Sequence, residues 1–97
     1  MQSEAFIPAG DFCAFHHVEL SFIETLHASG LIELTIRDGA FFLPEEQLSI
    51  LEKFTRWHYE LDINTEGIEA LSHLLERVQQ LQDENRRLRN RLHRYED

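Results

Sequence analysis

Cys13, His16 and His17 form a C-x-x-H-H pattern near the start of the chain and are its residues best suited to chemistry. A thiolate and two imidazoles are ligand types for zinc, but a structural zinc site takes four ligands and no second cluster follows. A Cys–His pair acting as nucleophile and base would need a third, orienting group and a cleft, and neither is visible. His27, His58, His73 and His93 are scattered, and none stands with a carboxylate in a recognisable catalytic arrangement. There is no glycine-rich phosphate loop. The expectation is therefore no catalytic residue, no cofactor and no metal, with Cys13 a core thiol beside surface histidines. A single cysteine forms no internal disulfide and fits a reducing cytoplasm.

Charge separates the chain into two parts. Residues 1–76 carry 14 acidic and 3 basic side chains (Arg37, Lys53, Arg56), a net of −11. Residues 77–97 carry 4 acidic and 6 basic, a net of +2, which together give the overall −9. An acidic head thus stands on a mildly basic stalk. Such a head repels nucleic acid phosphate, because affinity for duplexes comes largely from Lys and Arg displacing counterions. It attracts a basic protein surface and speeds encounter with it.

The elements that position these charges can be read in order. Ninety-seven residues suffice for one small domain and an appendage. The longest apolar runs, such as residues 36–43, are too short and interrupted to be a leader or a membrane span. Residues 11–16 predict a first helix that buries Phe12, Cys13 and Phe15. Residues 18–29 predict a second, with Leu20, Ile23, Leu26 and His27 at helical spacing, Phe22 on the flank and Gly30 closing it. Strands at 31–36 and 40–43 flank Asp38-Gly39, a favoured pair for a type I′ hairpin turn that sets Ile36 opposite Phe41 and Leu34 opposite Leu43. Pro44 suits the first turn of a third helix with the stripe Leu48, Ile50, Leu51, Phe54, Trp57 and Leu61. The break at residues 62–65 then caps a fourth helix through Asn64 or Thr65.

That fourth helix dominates the pattern. Residues 69–95 contain no Gly or Pro and repeat in heptads. The a positions read Leu71, Val78, Asn85, Leu92 and the d positions Leu74, Leu81, Leu88, Tyr95. A helix so polar outside its seam needs a partner for its stripe, so these eight residues predict a coiled-coil homodimer. The other reading is a long amphipathic helix folded back on its own head. Asn85 weakens such a seam but specifies register. In a parallel pair Glu84 would meet Arg89, which favours that orientation mildly. The division is 1–66 for the head and 67–97 for the dimerisation helix.

The order helix, turn, helix, hairpin, helix, long helix resembles the MerR-type winged helix-turn-helix. The fold class is therefore expected to be mainly α, with a MerR-like head, a small hairpin and a long C-terminal coiled-coil helix. Within that superfamily, DFC near the start, ASGLIEL at the end of helix two, RWHYELDINTEGIEAL joining helices three and four, and LQDENRRLRNRL on the stalk resemble the CbpM family of chaperone modulators. The resemblance implies binding to the J-domain of a CbpA- or DnaJ-like co-chaperone and inhibition of its stimulation of DnaK, without chemistry. MerR stalks pair antiparallel, against the mild charge preference above, so orientation stays open. The family's partners are expected to present a basic helix, for which an acidic head can compete. The partner-binding residues expected on the outer face of helix three and its junction are Glu52, Arg56, Tyr59, Glu60 and Asp62.

MerR-type folds also suggest DNA binding as an alternative function. The second helix would then enter the major groove, yet residues 18–29 contain no Lys or Arg and carry Glu19 and Glu24. The hairpin offers only Arg37, beside Asp38. The stalk arginines 86, 87, 89, 91 and 94 belong more naturally to solvation and interhelical pairing. Charge thus argues against nucleic acid as a partner.

Overall fold

The computed structural model of the chain describes residues 5–96; residues 1–4 of the head and Asp97 of the tail lie outside it. Strand β1 (Phe6–Pro8) leads directly into helix α1 (Ala9–His16), followed by α2 (Leu20–Ala28). Strands β2 (Thr35–Arg37) and β3 (Ala40–Pro44) form the hairpin, and a 3-10 turn (Glu45–Gln47) enters α3 (Leu48–Tyr59). Helix α4 (Thr65–Glu96) follows, and its 32 residues extend about 48 Å at 1.5 Å per residue. The resulting radius of gyration, 18.0 Å, far exceeds the roughly 13 Å of a compact chain this size. The molecule is a small head on a projecting stalk.

The hairpin forms as its turn residues dictate. Asp38 (φ 50°) and Gly39 (φ 78°) are both left-handed, as a type I′ turn requires, and Ile36 pairs with Phe41. The first strand is shorter than its apolar run suggested, because the Glu33 amide donates to the side-chain oxygen of Gln47 (3.1 Å) and Leu34 precedes the ladder. Ile36 is exposed rather than part of a buried face. β3 is central, since β1 adds to its other edge with Ile7 opposite Leu43. Sequence reading missed β1. Pro44 ends β3 and precedes the 3-10 turn instead of opening α3.

Helix α2 closes in a Schellman motif: Leu31 N–H donates to Leu26 C=O (2.9 Å) and Gly30 N–H to His27 C=O (3.0 Å), with Gly30 at φ 76°. Its buried stripe is Phe22, Ile23 and Leu26. Leu20 and His27 lie off that stripe, at 100° per residue, and are exposed, correcting their assignment to the core face. Those three side chains meet Phe12, Val18, Ile32, Leu43, Leu51, Phe54 and Ile68 in one core. Leu48, Ile50 and Trp57 pack against it as their stripe predicted, whereas Leu61 lies beyond the end of α3 and is exposed.

The junction into α4 is the most constrained turn. Ile63 N–H donates to Trp57 C=O (3.0 Å), and Asp62 makes the reversal with φ 57°. Asn64 then caps α4 by accepting from Gly67 N–H through its side-chain oxygen (2.8 Å). Ile63 before the cap and Ile68 after it stand at the positions of a hydrophobic staple, and Ile68 is fully buried. A Cβ at Gly67 would lie 2.8 Å from Ile63 Cγ2 and 3.1 Å from Asn64 Oδ1. Gly67→Ala, which elsewhere in a helix stabilises by about 1 kcal/mol, is therefore expected to destabilise by about 1–2 kcal/mol in urea unfolding; a stabilised variant would contradict the packing at this turn.

Candidate functional site

Helix α1 and the outer face of α3 enclose a groove of about 400 Å³ lined by His16, Glu52, Thr55, Arg56, Tyr59 and Glu60. Four of the five partner-binding residues expected from sequence are thus brought together. They share a face because 52, 56 and 59 recur at intervals of four and three on α3, and its C-cap Glu60, still in the helical conformation, falls one turn after Arg56. Asp62 lies apart in the α3–α4 turn, where it holds the left-handed reversal.

Each wall has a definite support. Leu51 and Phe54 bury the opposite face of α3, and Thr55 satisfies its hydroxyl by donating to Leu51 C=O (2.8 Å). Glu52, Arg56 and Glu60 are exposed. Tyr59 is held by its ring edge against Phe22 (5.5 Å between centroids), while its hydroxyl accepts from Glu19 N–H (3.2 Å). The aromatic wall is therefore fixed before any partner arrives. His58, the preceding residue, stacks on Phe22 (4.5 Å) and donates from Nδ1 to Ile63 C=O (2.8 Å), tying α3 to the junction.

On α1, His16 stacks against Phe12 (4.2 Å) and places Nε2 3.8 Å from a Glu52 carboxylate oxygen. His17 adopts φ 57° and closes α1, with Val18 N–H donating to Cys13 C=O (3.1 Å). Cys13 packs against the core, where burial raises its thiol pKa, so it carries little thiolate at neutral pH. Among the described residues no three or more His, Cys, Asp and Glu side chains gather to hold a metal ion. Phe15 corrects the sequence expectation: it is 80% exposed, not buried. The buried face of α1 runs through residues 9, 12, 13 and 16, and Phe15 points about 100° away from the middle of that arc.

The helix-turn-helix surface is polar or acidic where nucleic acid would be met. Ser21, Glu24, Thr25 and Ala28 form the exposed side of α2, with no cation among them. Arg37, the cation of the hairpin, lies over the Phe6 ring at 4.8 Å. On α4 the seam faces solvent from Leu74 outward: Leu74, Val78, Leu81, Leu88, Leu92 and Tyr95 are all exposed, as is Asn85, while Leu71 is half-buried against the head. Among the described residues no helix is long and apolar enough to cross a membrane.

A family model described as MerR HTH family regulatory protein matches residues 7–90, from β1 far into the stalk. The chain belongs to this MerR HTH family. It is similar to the chaperone modulatory protein CbpM of Pseudomonas putida (strain GB-1), 36% identical over 67 residues. That match covers 68% of this chain and 66% of the relative, just under two thirds of the relative's own length. No solved structure matches. MerR membership accounts for the helix-turn-helix of α1 and α2, the hairpin wing and the long last helix.

Proposed function

We propose that this protein is a chaperone modulator that binds the J-domain of a CbpA- or DnaJ-like co-chaperone and inhibits its stimulation of DnaK. The observation that carries this reading is the groove between α1 and α3, a preformed aromatic and acidic surface on a head (residues 1–66) of net charge −9. Similarity to a protein named as a chaperone modulator supports it. Glu52, Arg56, Tyr59 and Glu60 supply the contact face, and Asp62, in the turn that follows, adds to the acidic charge of the head. The mechanism is occupancy: a basic helix of the J-domain seated here is unavailable to DnaK, and no chemical step is involved. Carboxylates at the rim set encounter rate and specificity, while apolar contact sets residence.

The protein acts as a homodimer on this reading, through Leu71, Leu74, Val78, Leu81, Asn85, Leu88, Leu92 and Tyr95. A projecting helix with a solvent-facing leucine stripe is poorly stabilised alone, and a second copy buries that stripe, each leucine contributing about 1.5–3 kcal/mol. Leu81→Asp combined with Leu88→Asp is expected to halve the solution mass measured by light scattering. An unchanged mass would refute the coiled coil.

A second reading, a DNA-binding transcriptional regulator, is favoured by the MerR family match. The absence of cations on the exposed face of α2 opposes it. Calorimetric titration into an isolated J-domain, at low and at moderate salt, separates the two. Micromolar or tighter binding that weakens with salt is expected. No binding at either salt, with retention of promoter DNA instead, would overturn the modulator reading.

A further inference from the structure

We propose that Phe15 is the apolar anchor of the α1–α3 groove, and that its occupant is a basic amphipathic helix that seats one apolar side chain on Phe15 while its cations meet Glu52 and Glu60. This deepens the co-chaperone reading above and rests on it.

Phe15 is the most exposed large apolar side chain of the head among the described residues. It is nevertheless not loosely held. Its ring meets His16 edge to face at 5.0 Å, and His16 is stacked in turn on core residue Phe12 at 4.2 Å. His16 also lines the groove and approaches Glu52 at 3.8 Å. Phe12, His16 and Phe15 thus form an aromatic series that starts in the core, passes through His16 in the groove lining and ends on Phe15, which is next to the groove through His16 and has an open face. An aromatic ring oriented from beneath loses little further freedom when a partner covers it, which is what favours such residues as binding hot spots.

Charge selects the occupant. The groove carries Glu52 and Glu60 against the one cation Arg56, on a head that is acidic as a whole. An exposed aromatic ring beside a carboxylate-bearing groove fits a helix with Lys or Arg flanking an apolar residue on the same face. The leucine stripe of α4 is a different surface, and its own stalk is the copy that fits it. The exposed Ile36 of the hairpin has no such setting: its near neighbours in the pairing are Phe41 and the turn.

The test compares Phe15→Ala and Ile36→Ala with the full wild-type chain, by calorimetry against a co-chaperone J-domain and by thermal unfolding. Phe15→Ala should weaken binding about tenfold or more, leave the melting temperature unchanged and preserve the salt dependence, because no charge is removed. Glu52→Gln with Glu60→Gln should instead flatten the salt dependence. Ile36→Ala should bind as wild type. Wild-type binding that Phe15→Ala leaves intact would overturn the anchor and spare the co-chaperone reading. A lowered melting temperature for Phe15→Ala would assign the ring to stability and overturn the anchor as well. Absence of wild-type binding would overturn the co-chaperone reading and the occupant with it.

Discussion

The Asn64 cap, with Ile68 locked in the core four residues later, is the constraint on which the rest of the molecule depends. It ends the head and aims the stalk in the same turn. Asn64 satisfies the Gly67 amide, Ile63 is held by Trp57 C=O, and His58 donates to Ile63 C=O from a ring stacked on Phe22. Because Phe54 and Ile68 share one core, α3 and the start of α4 are a rigid pair rather than two elements on a hinge. The outer face of α3 therefore stands in fixed relation to the leucine stripe of α4. A dimer formed through the stripe would present two grooves in a defined arrangement.

Charge then decides what a MerR-type scaffold is used for. The fold supplies a helix-turn-helix, a wing and a stalk, yet fold alone does not confer function. Here the exposed side of α2 carries Glu24 and no cation, and Arg37 of the wing is drawn over Phe6. Meanwhile α3 buries Leu51 and Phe54 and leaves Glu52, Arg56, Tyr59 and Glu60 on its outer side. Under the proposed function the interaction surface is the outer face of the third helix rather than the second.

Much of this was legible in the sequence, for local reasons. The hairpin turn followed from Asp38-Gly39, the closure of α2 from Gly30, the junction cap from Asn64, and the stalk from its uninterrupted heptads. The gathering of Glu52, Arg56, Tyr59 and Glu60 needed only helical spacing on α3. What escaped depended on tertiary context. The three-residue strand β1 exists because the edge of β3 was free to accept it, and no periodicity of two can show in three residues. Phe15 was misplaced because α1 is too short for its stripe to be read, and the burial of Ala9 that fixes the stripe depends on β1 preceding it. Phe22 displaced Leu20 from the α2 stripe once Tyr59 and His58 were packed against its ring.

Under the proposed mechanism, occupancy of the groove and stimulation of DnaK exclude one another on the same J-domain. The most direct measurement is the steady-state ATPase of DnaK stimulated by a co-chaperone J-domain, titrated with this protein and repeated at higher DnaK. Stimulation should fall towards the basal rate and recover as DnaK is raised. A J-domain that is visibly complexed yet stimulates DnaK undiminished would contradict the account.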